Sequence, residues 1–231
     1  MVVSSQSGVG NLKFTKAFVE ILKNFSTINP QMHFVEGFEQ SVISAAGSVF
    51  ASTKSDVEVE TAFSIFSLPK LLSILSLYDN PEVVVSDRFL KISTEGKTNV
   101  CNYQLTKPEF IKFEKNPAKY AKMTNDVSFG LKYEDYSSTM KLANILKSDY
   151  ITFRGNGTKI YLEVVNANEN GDSAATLIGE TEAVFKIVVP RELLNLIDAD
   201  YAVGVSKKGA ISFKSDRISY YFAYNKDKSS C

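Results

Sequence analysis

The chain has no tryptophan, one histidine and two cysteines among its 231 residues. Each shortage removes a class of chemistry. Structural and catalytic zinc sites need clustered Cys and His ligands, and His33, Cys101 and Cys231 stand far apart in the sequence. The single histidine lies between Met32 and Phe34 in a strand-like run. It reads as a structural residue, and no Ser-His-Asp or Cys-His constellation can be built around it. Two distant cysteines, one of them the last residue, read as free thiols of a reducing compartment. An excess of either charge is missing too. Twenty-six basic residues balance 26 acidic ones, which excludes a simple polycation that binds nucleic acid by bulk charge. It leaves open a chain with one basic face and one acidic face. No stretch approaches the roughly 20 apolar residues of a membrane span. The opening MVVSSQSGVGNL lacks the basic start and apolar centre of a secretion signal. A soluble, intracellular protein with a flexible N-terminal arm over residues 1–11 is expected.

The usual nucleotide and carboxylate signals are also lacking. Ser7-Gly8-Val9-Gly10-Asn11 has no Gly-Lys-Ser/Thr ending of a phosphate loop. Asp87, Asp126, Asp135 and Asp149 are scattered over turns and helix starts. Glu58 and Glu60 alternate along a strand and share a face, which reads as a solvated surface rather than a metal site. No catalytic residue, metal or cofactor is assigned, and a non-enzymatic role is expected.

What is present is periodicity. LKFTKAFVEILKNF (12–25) places Phe14, Ala17, Phe18, Ile21, Leu22 and Phe25 on one helical face. Lys13, Lys16 and Lys23 lie on the other, with Glu20 the one acid there. Short alternating runs broken by Asn29-Pro30, Gly37 and Gly47 then predict antiparallel strands. LPKLLSIL (68–75) predicts a second helix, with Pro69 in its first turn and Asp79-Asn80-Pro81 ending it. Strands follow, with a turn near Glu95-Gly96. Residues 107–124, with two prolines, many lysines and no clean period, form a crossing between two halves. Beyond it, YSSTMKLANILKSDY predicts a helix with Leu142, Ile145 and Leu146 as its apolar side and Lys141 and Lys147 away from it. A hairpin is expected at Gly155-Asn156-Gly157, and a polar loop over residues 166–175.

The halves share text as well as order. ILKNFSTI, starting at residue 21, matches ILKSDYITF, starting at 145. LPKLLSIL, starting at 68, matches VPRELLNL, starting at 189. Two such pairs at nearly the same offset point to internal duplication. The fold class is α+β, with two similar domains over 12–106 and 125–231. Each has two short helices packed on antiparallel sheets. Lys70 and Arg191 stand at matching places on the proline-started helices. Each predicted helix thus presents cationic side chains outward, at positions the duplication equates. Gathered on one surface, they would neutralise phosphates without reading sequence. No aromatic residues interleave with them, so stacking on single-stranded bases is not indicated.

ILKNFSTIN followed by FSIFSLPKLLSILSLYDNPEV resembles the sliding clamp of T4-type bacteriophages, the DNA polymerase processivity factor of those viruses. The resemblance implies a head-to-tail homotrimer, a ring of six similar domains with helices lining the hole. Lys13, Lys16, Lys23, Lys70, Lys141, Lys147 and Arg191 would then face double-stranded DNA without sequence preference. It implies as partners the viral DNA polymerase, an ATP-driven clamp loader and late-transcription factors, in the cytoplasm of an infected bacterial host. Family members take a partner's apolar peptide near the domain junction. Phe110, Ile111 and Phe113 of the crossing, with Tyr220 and Phe222 of the last strand, are the candidates for that pocket. The alternatives are a viral scaffold that never touches DNA, and a nuclease or transferase with an unrecognised acidic site.

Overall fold

The computed structural model describes residues 10–94, 99–165 and 172–231. It divides into two compact units: residues up to Gly47 with Ala51–Lys115, and Ser48–Phe50 with Asn116–Cys231. The turn expected near Glu95-Gly96, most of the N-terminal arm and the start of the polar loop lie outside the described residues.

The first unit opens with β1 (Gly10–Leu12) and α1 (Lys16–Ile28). Gly10 and Asn11, read as part of the arm, are strand residues, because β1 pairs antiparallel with β6 (Glu82–Val85). The helix begins at Lys16 rather than Leu12, since the Thr15 hydroxyl accepts the Phe18 N–H at 3.1 Å. This is an N-cap, which satisfies one of the four free N–H groups of a helix start. Phe18, Ile21, Leu22 and Phe25 are buried as the period required, but Ala17 is exposed. After α1, β2 (Met32–Phe34), β3 (Gly37–Ile43), β4 (Val49–Val59) and β5 (Phe63–Ile65) lead into α2 (Leu68–Leu75). β4 counts its first residues with the second unit. Ser67 caps α2 by accepting from the Lys70 N–H, and Pro69 sits in the first turn. The two helices pack on each other. Leu22, Phe25, Phe34, Ile65, Leu68 and Leu71 meet in a core where each is at most fractionally exposed. The remaining strands, β7 (Phe89–Ser93) and β8 (Val100–Gln104), complete a sheet ordered β1-β6-β7-β8.

In the second unit a four-residue α3 (Ala118–Ala121) lies in the crossing segment. Then come β9 (Val127–Leu131) and α4 (Tyr133–Ile145). β10 (Tyr150–Asn156) and β11 (Lys159–Val165) form the predicted hairpin, with Gly157 at φ 89° in its turn. Asn156 Oδ1 accepts from the N–H groups of Thr158 and Lys159. β12 (Ala174–Glu180) and β13 (Val184–Pro190) complete a sheet ordered β12-β11-β10-β13. Ala174 and Ala175 are therefore strand, not loop. β14 (Tyr201–Ser206) pairs with β9 and with β15 (Ala210–Lys214), and β15 with β16 (Ser219–Ala223). The duplication is visible in the pairing. β2, following α1, pairs with β5, which leads into α2; β10, following α4, pairs with β13, which leads into Arg191.

Two expectations about this unit change. VPRELLNL yields a single 3-10 turn, Arg191–Leu193, not a helix. Leu194, Leu196 and Ile197 are all buried, and tyrosine hydroxyls take up their backbone groups. Tyr136 donates to the Leu194 carbonyl at 2.8 Å and accepts the Leu196 N–H at 3.2 Å. Tyr220 accepts the Ile197 N–H. A backbone already supplied with partners gains nothing from a helical ladder. The apolar side of α4 also differs. Tyr136, Thr139 and Ala143 face β11 and β12, while Leu142 is 40% and Ile145 74% exposed.

Candidate nucleic-acid interface

Lys16 and Lys23 sit on the exposed side of α1, opposite the buried Phe18–Leu22–Phe25 face. Lys13 precedes the cap and lies in the link between β1 and α1. It lines a cleft with Asn11, Asp79, Asn80, Pro81 and Glu82, so acidic neighbours offset part of its charge. Lys70 is exposed in the first turn of α2, with its Nζ 6.0 Å from the Tyr103 ring centre. Tyr103 in turn donates to the Ser67 carbonyl at 2.8 Å, tying β8 to the start of α2.

Lys141 is exposed on α4. Lys147 is exposed just past the helix end, at φ 50°, in the left-handed conformation that usually selects glycine or asparagine. The following Ser148 N–H donates to the Ala143 carbonyl and closes the helix. The start of α4 has no cap from its own Lys132; Asp200 accepts the Tyr133 N–H at 2.9 Å instead. Arg191 is half-buried and committed locally. Its Nε donates to the Ser148 carbonyl at 2.7 Å and its Nη1 to Asn144 Oδ1. It clamps the end of α4, and its charge reaches solvent only in part. The first unit thus carries Lys16, Lys23 and Lys70 exposed on two helices that pack on each other, and the second carries Lys141 on α4, with Lys147 and Arg191 at the end of that helix.

The pocket candidates separate. Phe110 is 66% exposed, at the end of a 3-10 turn over Pro108–Phe110. Ile111 is buried, and Phe113 lies 4.3 Å from the His33 ring. These residues line a shallow cleft with Pro108, Glu109, Lys112 and Lys115. Tyr220 and Phe222 belong to the second unit's core at 0% and 1% exposure, where they stack at 6.1 Å. A partner cannot reach them. Both stand in register opposite buried β15 residues, Tyr220 against Phe213 and Phe222 against Ile211, and this face of the strand turns inward. His33 is structural, as expected. Its Nδ1 lies 2.8 Å from Ser64 Oγ, and burial pushes its pKa down. Burial also pushes up the phenols that tie the second unit: Tyr136 to about 12, and Tyr201 and Tyr220 further. Sequence reading missed one cluster, in which Phe50, Tyr120 and Tyr221 meet beside Lys119 and Lys214. The signal, aromatic residues at distant positions, has no period to find it by.

Among the described residues, no group of three or more His, Cys, Asp or Glu side chains forms a metal site, and no helix is long and apolar enough to cross a membrane.

No family model matches the chain. It is 25% identical over 218 residues to the sliding clamp of Vibrio phage KVP40, covering 92% of this chain and 98% of that one. It is 23% identical over 231 residues to the sliding clamp of Escherichia phage RB69, covering 94% and 98%. Among solved structures, PCNA from Thermococcus kodakaraensis superimposes with a TM-score of 0.68 at 16% identity, over 94% of this chain and 100% of that one. A. fulgidus PCNA bound to the C-terminal region of FEN-1 gives 0.68 at 12% identity, over 93% and 98%. The H. pylori beta clamp gives 0.69 at 16% identity, over 98% of this chain and 68% of the longer one. The likeness to T4-type phage clamps, carried in the sequence by two stretches, extends over nearly the whole chain. The fold is the sliding-clamp fold.

Proposed function

We propose, from a chain with the sliding-clamp fold, that copies of this protein close into a ring around duplex DNA and hold a viral DNA polymerase on its template. The full-length match to phage sliding clamps carries this reading. The edges of the two sheets favour it. Among the described residues, β8 and β12 each have one strand neighbour, and each exposes an apolar side chain, Val100 at 47% and Leu177 at 52%. A free edge is a template for pairing. Joining β8 of one copy to β12 of the next is a heterologous contact, and three such contacts close a homotrimer.

Lys13, Lys16, Lys23, Lys70, Lys141, Lys147 and Arg191 face the enclosed duplex in this reading. Contact with phosphates neutralises charge without selecting sequence. Enclosure rather than affinity keeps the ring in place, and sliding needs the contacts to stay weak and water-mediated. A tethered polymerase then meets the primer end at high effective concentration. An ATP-driven loader opens the ring. The polymerase and the late-transcription machinery dock through short peptides, in the cytoplasm of the infected host. The complex of A. fulgidus PCNA with the C-terminal region of FEN-1 supports peptide docking on this fold.

The test is retention on DNA. With loader and ATP present, the protein stays on nicked circular DNA and runs off after linearisation, and its solution mass rises toward three times the 25.6 kDa chain. Equal loss from circle and line overturns the reading. Replacing Lys16, Lys23 and Lys141 with glutamate shortens retention without altering the fold, since all three are exposed.

A further inference from the structure

The sheet ordered β12-β11-β10-β13 ends in two strands whose outer sides differ. Among the described residues, β12 has β11 as its one strand neighbour. β13 has β10 on one side, over seven pairs from Tyr150–Pro190 to Asn156–Val184, and the end of the chain on the other. There the outward backbone groups of Lys186 and Val188 are all taken up. The Lys186 N–H donates to the Ser230 carbonyl and the Ser230 N–H to the Lys186 carbonyl, both at 2.8 Å. The Val188 N–H donates to Ser229 Oγ at 3.0 Å, and the Val188 carbonyl accepts the Asn225 N–H at 3.4 Å. Asn225 Oδ1 accepts from the N–H groups of Asp227 and Lys228 and so folds the turn between these contacts. Lys228 Nζ lies 4.1 Å from the Tyr150 ring centre. Tyr224 anchors the start of this strap: it is buried, and its hydroxyl donates to the Ser206 carbonyl at 2.9 Å.

The strand beneath is one that needs a cover. Val184-Phe185-Lys186-Ile187-Val188-Val189 carries a single charge and is otherwise β-branched or aromatic. With a bare edge, such a segment pairs with its like. A two-fold antiparallel pairing that sets Lys186 of one copy against the partner's Val188 would satisfy every group the strap now holds, and it keeps the two lysines from facing each other. The strap is the weaker of β13's two neighbours, with one ladder pair, Lys186–Ser230, against seven from β10. Residues 225–228, 230 and 231 are exposed, and chain ends open readily. We propose that the strap over residues 225–230 closes the β13 edge against a second copy of this chain, so that copies meet through β12 instead. One edge of the sheet is then on offer, as ring closure requires, because a chain able to join at both edges of one sheet builds open or branched assemblies. The choice of β12 rests on the ring reading; the cover over β13 does not.

The experiment is sedimentation velocity of the full chain over a concentration series, without DNA or loader and with a reductant that keeps Cys231 from cross-linking. Ser229→Ala combined with Ser230→Pro removes the hydroxyl that accepts from Val188 and the N–H that donates to Lys186. Loss of two hydrogen bonds opens the strap roughly tenfold more often, and self-association tightens by the same factor. The variant therefore gains a species larger than the wild-type assembly. Asn225→Ala, which loosens only the turn of the strap, gives the same species in smaller amount and guards against a folding artefact. Cys231→Ser leaves the strap's bonds in place and sediments as wild type. Val184→Lys, at a position 75% exposed, puts a charge on the bared edge and removes the extra species. Unchanged sedimentation of both strap variants overturns the proposal, and so does an extra species that survives Val184→Lys. With Leu177→Lys added on β12, the strap variant forms pairs of copies and nothing larger. A wild type that stays monomeric throughout counts against the ring reading alone, since the strap variants still pair or fail to pair.

Discussion

The two units descend from the same pattern of text but hold themselves together differently. In the first, α1 and α2 lie against each other and bury leucines and phenylalanines that the helical period had assigned to that face. In the second, α4 is the counterpart of α1, and α2 has no helical counterpart among the described residues. Where such a helix would stand, Leu194–Ile197 runs with its backbone groups taken by Tyr136, Tyr220 and Tyr201. One unit relies on apolar packing between helices; the other relies on buried phenol oxygens that act as backbone partners. A duplicated sequence can keep its strand pairing while replacing a helix, provided every buried backbone group finds a partner.

The largest effect that tests this contrast is expected at Leu22. Leu22→Ala removes a fully buried side chain between α1 and its core and costs about 2–5 kcal/mol in urea unfolding. Ile145→Ala on α4, which is 74% exposed, stays within about 0.5 kcal/mol. Comparable losses at both sites would show that α4 packs in solution as α1 does.

Next is Tyr136→Phe. The Leu196 N–H and the Leu194 carbonyl lose their partner while remaining buried, a cost of about 1–3 kcal/mol. The same residue gives the second unit an alkaline limit. Its folded pKa, about 12, lies above the usual 10 because burial disfavours the phenolate. Its stabilising contribution is therefore complete below pH 10 and declines as pH rises toward 12. The opposite limit belongs to the first unit. Burial depresses the pKa of His33 below its usual 6.5, so the unfolded chain binds the proton more readily, and stability falls as pH drops below about 6.5. Circular-dichroism unfolding at pH 5, 8 and 11 separates the two, and His33→Gln removes the acid limb alone.

Smaller effects come from the helix ends. Thr15→Ala deletes the cap of α1 and costs about 1 kcal/mol; α4, capped from Asp200, is unaffected. Lys147→Gly relieves the left-handed backbone after α4 and stabilises by up to about 1 kcal/mol. It also removes one cation from the proposed DNA face, so stability and DNA retention should move in opposite directions.

The amino-acid order alone determined the duplication, the packed face of α1, the proline-started α2, the hairpin at Asn156-Gly157 and the exposure of the lysines. These are local: a period of three and four, a proline suited to a first helical turn, a glycine able to take positive φ, and charged groups that stay in water. It did not determine whether Arg191–Leu193 continues as a helix, which side of α4 turns inward, or that Tyr220 and Phe222 are core. Those outcomes depend on groups far off in the chain, because a hydroxyl from residue 136 or 220 competes with helical hydrogen bonds only once the fold delivers it there. Tertiary structure alone also brought Phe50, Tyr120 and Tyr221 together, since contact between side chains so distant in sequence leaves no periodic trace.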